Sequence, residues 1–149
     1  MSKQEDANLI LKLYDLRREA VMREARNWFF SFNPTTVQDF TDVLISEKGA
    51  YLRMVVSYWE MAAALVNNGA LDEQMFNEAN GEHVFVFSKI QPFLAELRRT
   101  WRMPLYLEQF EKLVLRIPEI DQRLADMRER MKQLAALREQ KAQAAASTN

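Results

Sequence analysis

The sequence contains no cysteine and a single histidine, His83. Without cysteine the chain can form no disulfide, no thiolate zinc site and no thiol nucleophile. A Ser-His-Asp triad, a two-histidine metal site and a di-iron bundle site each require histidine in a fixed partnership. His83 follows Gly81-Glu82 and is more typical of a helix start or a surface position than of a base or a pH switch. We therefore expect no metal, no cofactor and no catalytic residue.

Glycine and net charge are also scarce. The three glycines, Gly49, Gly69 and Gly81, are never close enough together to form a phosphate-cradling loop. Twenty basic residues against 21 acidic ones give a formal net charge of -1. No global field therefore draws in a polyanion or an anionic membrane surface, and a nucleic-acid role would need a local basic patch.

Arginine is concentrated in two clusters that could form such a patch. Glu19 and Glu24 interleave with the first cluster at salt-bridge spacing, which favours a solvated helix face. The second cluster lies beside Trp101, and arginine near an aromatic ring suits single-stranded nucleic acid, although a plain surface face is still favoured. Nucleic-acid binding is therefore not expected. The clusters are Arg17, Arg18, Arg23 and Arg26, and Arg98, Arg99 and Arg102.

The scarcity of glycine and proline leaves few tight turns, which favours helices over regularly spaced strands. We predict an all-α helical bundle of about six or seven helices with long N- and C-terminal helices. It forms a single domain over residues 1–146, with a core at about 6–117, an amphipathic helix at about 118–144 and a frayed tail at 145–149. The start is polar, and the most apolar window, Met54 to Val66, is too short to span a membrane. A cytoplasmic location is expected.

Local signals predict where the helices begin and end. Apolar residues at steps of three and four predict one long helix from about Asp6 to Phe32. Thr35 and Gln38 have the spacing of a capping box, Ser46 and Asp72 can cap later helices, and Gly69 can end one. Val84 to Phe87 suits a strand on local propensity, but the continuing helical period favours a helix bent or begun at Pro92. Pro118 is expected to open the last helix.

Glu60 is the most informative polar residue because its helical neighbours are mostly apolar. Arg53, Ser57, Glu60 and Asn67 form a narrow stripe, and a solvated stripe on an amphipathic helix is the simpler interpretation. The alternative is a polar cluster in which a partly buried Glu60 pairs with Arg53, Arg98 or Arg102 and forms the floor of a pocket. That alternative would suit a ligand-binding, sensing or enzymatic bundle; the sequence leans away from an enzyme.

The last helix carries an apolar seam that needs a partner. The seam can pack inside the domain or pair with another copy as a coiled coil, and we expect a homodimer. The leading functional hypothesis is a non-enzymatic helical interaction module, with the surface around Trp28, Arg98 and Trp101 open to a protein partner. The candidate self-association residues are Ile120, Leu124, Met127, Met131 and Leu134.

Four segments resemble an uncharacterised bacterial helical family that carries only a domain-of-unknown-function label. The resemblance covers roughly residues 9 to 117 and implies a bacterial source and an all-helical fold. Some members carry a membrane segment before the domain, whereas this chain starts directly with the amphipathic helix. The family supplies no catalytic or binding residues to carry over. The segments are Leu13–Ala20, Met22–Trp28, Arg53–Ala62 and Asn80–His83.

Overall fold

The computed structural model describes residues 2–148 and confirms the all-α fold. Over that range the chain forms eight helices and no strand, one or two helices more than expected. None of these helices has both the length and the apolar character that crossing a membrane requires. The helices are α1 (Lys3–Arg18), α2 (Ala20–Ser31), α3 (Val37–Leu44), α4 (Gly49–Asn67), α5 (Glu73–Ala79), α6 (Glu82–Thr100), α7 (Glu108–Leu115) and α8 (Ile120–Ser147).

Helix α4 is the centre of the bundle. Its sequence is apolar on most sides, as expected for a helix surrounded by others, and it packs against α2, α3, α5 and α7. Leu52, Val55, Trp59 and Ala62 are at most 1% exposed. Helix α6 packs on α3, α7 and α8, and α1 packs on α2 and α5. These contacts form one continuous apolar core. The polar stripe of α4 lies outside that core and is the part of the helix that can contribute to a functional site.

The long N-terminal helix expected from Asp6 to Phe32 is interrupted at Glu19. This residue leaves the helical conformation, with ψ at 142°, and ends α1 while it begins α2. Its carboxylate accepts the backbone N–H groups of Val21 (3.1 Å) and Met22 (2.9 Å). These two bonds satisfy N–H groups that the first turn of a helix leaves without partners. The break accounts for one of the additional helices.

The expected helix ends are partly confirmed. Asp72 caps α5 through Met75 N–H (2.7 Å), and Gly69, at φ 80°, follows the end of α4 in the left-handed conformation. The capping box lies one residue later than expected, at Thr36 and Asp39. Ser46 does not cap α4, which begins at Gly49.

Proline 92 lies inside α6, which begins ten residues earlier at Glu82, so the helical interpretation of Val84 to Phe87 is confirmed. Because proline has no N–H, the Ser88 carbonyl four residues before it has no partner within the helix. Arg128 of α8 supplies that partner, since its Nε donates to the Ser88 carbonyl (2.9 Å) and its Nη2 donates to Gln91 Oε1 (2.8 Å). The proline of α6 therefore creates a docking point for α8.

Helix α8 is docked along only part of its length. Ile120 and Leu124 are buried in the core, and Met127 packs against it, whereas nearly every residue from 132 onward is exposed. Pro118 precedes the helix by two residues, and Glu119 between them has a left-handed backbone (φ 58°). The helix continues to Ser147, through much of the segment expected to fray; Asn149 lies outside the described residues.

Candidate functional site

A groove of about 680 Å³ lies between α4, the end of α3 and the non-helical segment 101–107. Its walls are mostly apolar, and its polar groups come largely from the α4 stripe that the sequence singled out. The lining residues are Leu44, Arg53, Val56, Ser57, Glu60, Trp101, Met103, Pro104, Leu105, Tyr106 and Leu107. We call this the Glu60 groove.

The segment that forms one wall of the Glu60 groove has an unusual backbone. Arg102 (φ 54°) and Leu107 (φ 57°) are both left-handed, a conformation that costs energy for residues other than glycine. Trp101, directly before Arg102, and Tyr106, directly before Leu107, form a T-shaped pair with ring centroids 5.4 Å apart. The Trp101 indole N–H donates to Thr41 Oγ1 (3.1 Å), which fixes the wall to α3. Strained backbone that surrounding contacts hold in place is common at binding sites.

Glu60 contacts the start of α7 instead of an arginine. Its Oε1 accepts the backbone N–H of Phe110 (2.7 Å), while Leu107, the residue directly before α7, provides no side-chain cap. A carboxylate is favourable at a helix N-terminus because the unpaired N–H groups there carry partial positive charge. Among the described residues, Glu60 therefore caps α7 instead of forming the ion pair with an arginine that was the alternative interpretation of the stripe.

The arginines of the expected cluster are dispersed. Arg98 donates to Glu111 Oε1 (3.1 Å) and to the Tyr106 carbonyl (2.9 Å), so it stabilises the wall of the Glu60 groove from behind. Arg53 is exposed and lines the groove, whereas Arg102 is exposed and lies outside its lining. The structure thus brings two members of the predicted cluster, Arg53 and Glu60, into one groove.

Burial is the main influence on the Glu60 carboxyl. It raises the pKa of Glu60 above the usual range, and the N–H groups of Phe110 and Gln109 oppose that shift. The N–H of Phe110 is directed at Oε1, and the N–H of Gln109 also faces the carboxylate. Glu60 is only partly buried, so its carboxylate remains an available acceptor in a mostly apolar groove.

His83 is a helix-start residue, as expected, but it is buried and not on the surface. It is 1% exposed, and its ring packs near Trp59 and Phe76 at centroid distances of 5.5 and 5.3 Å. Its Nε2 is 2.9 Å from Asn77 Oδ1. Burial lowers the pKa of His83 to about 4, so the imidazole is neutral at pH 7. A neutral core histidine does not titrate in the range that a switch near neutral pH requires.

The first arginine cluster is not simply a solvated face. Arg17 and Arg26 both bind the Glu82 carboxylate, at 3.0 and 2.7 Å, and the Arg17 side chain is only 10% exposed. These ion pairs join α1 and α2 to the start of α6. Arg18 and Arg23 remain exposed, as the solvated interpretation requires.

Lys89 was not singled out by the sequence, yet its side chain is partly buried against the end of α2. Its ammonium donates to the carbonyls of Phe29 (2.9 Å), Phe30 (2.9 Å) and Phe32 (2.7 Å) at the end of α2. Burial lowers the pKa of Lys89 to about 8. Only the fold reveals this role, because nothing in the local sequence of α6 indicates which helix end faces it.

A second cavity, of about 740 Å³, lies between α2, the start of α6 and α8. Phe30 and Phe85 line it on the domain side, and Met127 and Met131 line it on the α8 side. We call it the α8 cleft. The predicted self-association residues are therefore divided: Ile120 and Leu124 lie in the core, and the others are partly exposed along the cleft or beyond it.

The proposed partner surface around the two tryptophans is also divided. Trp28 stacks on Phe32 (5.1 Å between centroids) and lies near Tyr51, whereas Trp101 packs on Tyr106. Both tryptophans are partly covered, each within its own aromatic cluster.

Comparison with known proteins gives one match. The family model described as Domain of unknown function (DUF4760) matches residues 3–117, which span α1 to α7. No curated protein and no solved structure matches the chain.

Proposed function

The chain belongs to this family of unknown function, and from that premise we propose that it is a helical interaction module that self-associates through α8. The observation that carries the proposal is the division of α8 into a docked first half and an exposed second half. Residues 3–117 make up the family domain, so α8 follows it as an additional element. The expected cytoplasmic location stays a prediction that cell fractionation would test.

The docked half of α8 fixes the direction in which the helix leaves the domain. Ile120 and Leu124 are buried, and Arg128 is held by the Ser88 carbonyl and Gln91. Arg138 lies over the Phe30 ring, 5.1 Å from its centroid, so α8 stays beside α2 up to this residue. A helix rises about 1.5 Å per residue, so residues 139–147 extend roughly 14 Å past that contact. Because the base of α8 is fixed, the rest of the helix is already ordered before a partner binds. Binding therefore costs little conformational entropy.

The exposed half of α8 continues the apolar seam. Met131 and Leu134 are partly exposed, and Leu137, one turn further, is 59% exposed. The α8 cleft runs beside the same seam and adds Phe30, which is 39% exposed. The cleft and the exposed seam together offer apolar side chains, bordered by charged ones, that a second helix can cover.

A second copy of the chain is the occupant that fits this surface best. Two copies related by a two-fold axis would each place the same seam against the other, as closed dimers do. The neighbouring residues of α8 carry both signs of charge, including Arg123, Asp126, Arg130 and Glu139, so two such helices can approach without a single-sign repulsion.

The test is the mass of the full chain in solution. Each chain is 17.5 kDa, so light scattering is expected to give twice that mass for the wild type. The double variant Met131→Glu, Leu134→Glu is expected to be monomeric with the same helix content. Gln133→Glu, which adds a charge at an exposed position of the same helix, is the matched control and stays dimeric. A wild type that is monomeric at its highest soluble concentration would refute self-association.

A further inference from the structure

The Glu60 groove has the composition of a small-molecule site. Ligand pockets are typically about 300–1,000 Å³, mostly apolar, with a few polar groups that orient the ligand. The groove, at about 680 Å³, has walls of Leu44, Val56 and Leu107 and a carboxylate within them. Leu105 and Met103, on the segment that forms its outer wall, are 67% and 48% exposed. Apolar surface is therefore available both in the groove and at its mouth.

The polar groups of the Glu60 groove favour a positively charged nitrogen. The Glu60 carboxylate meets only backbone N–H groups at the start of α7, and no arginine of residues 2–148 lies within ion-pair distance of it. The aromatic pair Trp101 and Tyr106 lies in the same lining. Carboxylates bind ammonium groups through charge-assisted hydrogen bonds, and aromatic faces attract them through cation–π contacts.

We propose that the Glu60 groove binds an organic ammonium compound, with its apolar body along Val56, Leu44 and Leu107 and its charged nitrogen at the Glu60 carboxylate. Burying a carboxylate without a cation is unfavourable, and a ligand ammonium supplies the missing charge. The pKa of Glu60, raised by burial, is expected to fall when the ammonium binds.

The arrangement of the arginines opposes an anionic ligand. Arg98 is already bound to Glu111 and the Tyr106 carbonyl, so it has little capacity left for a ligand. Arg53 lies seven residues before Glu60, which places it roughly 10 Å further along the axis of α4, at an exposed position. A carboxylate bound beside Glu60 would meet a like charge, whereas an ammonium there would meet an opposite one.

The test compares three probes that share one apolar body: phenylbutylamine, phenylbutanol and phenylbutyrate. Each is titrated into the full chain while NMR follows the Phe110 amide, which is bonded to Glu60, and the Trp101 indole N–H. The amine is expected to bind about tenfold more tightly than the alcohol, because an ion pair adds to the same apolar contact. The carboxylate is expected to bind most weakly.

Glu60→Gln tests the role of the charge, since glutamine keeps an oxygen acceptor for Phe110 N–H but has no negative charge. The preference for the amine over the alcohol is expected to disappear in this variant. Glu96→Gln, the same change at an exposed position outside the lining of the groove, is the matched control and is expected to keep the preference. Equal affinities for the three probes, a preference for the carboxylate, or no saturable shift at Phe110 and Trp101 would each overturn the proposal. The comparison of the three probes on the wild-type chain needs no variant. It therefore tests the proposal even if Glu60→Gln fails to fold.

Discussion

Arg128→Met is expected to cost about 2 kcal/mol of stability, because it leaves the Ser88 carbonyl without a partner. The variant keeps most of the apolar stem but loses the bonds to the Ser88 carbonyl (2.9 Å) and Gln91 Oε1 (2.8 Å). A buried hydrogen bond to a charged group contributes about 1.5–3 kcal/mol, and partial exposure of Arg128 lowers each of its two bonds to about 1 kcal/mol, or about 2 kcal/mol together. Urea unfolding followed by circular dichroism measures the change. With a slope of about 2 kcal/mol per molar urea, the midpoint falls by roughly 1 M.

The origin of the unpaired carbonyl can be tested separately with Pro92→Ala. An alanine at this position has an N–H that can bond to the Ser88 carbonyl within α6, as in an uninterrupted helix. Arg128→Met in this background is therefore expected to cost only about 1 kcal/mol, which leaves a coupling of about 1 kcal/mol between the two positions.

The control for the docking prediction is Arg130→Met, on the same helix. Arg130 is exposed and bonds only to Met127 Sδ (3.1 Å), so its loss is expected to change stability by less than about 0.5 kcal/mol. If the effects of Pro92→Ala and Arg128→Met simply add within about 0.5 kcal/mol, the proline does not create the docking point and the reasoning is refuted.

Two further predictions concern the core. The pKa of His83 is about 4 in the folded chain, below its usual 6.5, so unfolded chains bind the proton first and stability falls as pH drops from about 6.5 to about 4. The loss totals about 3 kcal/mol, and His83→Gln is expected to flatten that part of the pH curve; an unchanged curve would contradict the assignment. Gly49→Ala is expected to lower stability by about 1–3 kcal/mol despite the better helix propensity of alanine, because its Cβ would overlap the Leu44 carbonyl. Gly81→Ala, where a Cβ meets nothing within 4 Å, is the control, and thermal melts showing equal effects would refute the steric argument.

The sequence was most informative about helix ends that are set by one residue and its nearest neighbours. Gly69 and Asp72 were assigned correctly because a left-handed glycine and an aspartate cap act within one turn of the chain. The break at Glu19 was missed because glutamate is not a preferred cap and the apolar period continues across it. A carboxylate that caps the residues directly after it looks, in the sequence, like any charge on a helix surface.

The candidate site shows the same division between local and distant contacts. The stripe containing Arg53 and Glu60 was visible in the sequence, and the structure places both residues in one groove. The partner of Glu60 was not visible, because it is the backbone N–H of Phe110, fifty residues away. Every residue has a backbone N–H, so only the orientation of α7 identifies which one Glu60 meets.

The enclosure of Lys89 has a consequence for chemical labelling of the protein. With its pKa at about 8, the amine loses its proton more readily than an ordinary lysine, which makes it the stronger nucleophile at mildly alkaline pH. The three carbonyls at the end of α2 nevertheless hold it inside the bundle. An acylating reagent is therefore expected to react there when these hydrogen bonds open, and the acylated side chain can no longer donate three hydrogen bonds. The extent of acylation at Lys89 would therefore measure how often the contact between α6 and the end of α2 opens. Once Lys89 is acylated, that contact cannot form again with the same hydrogen bonds.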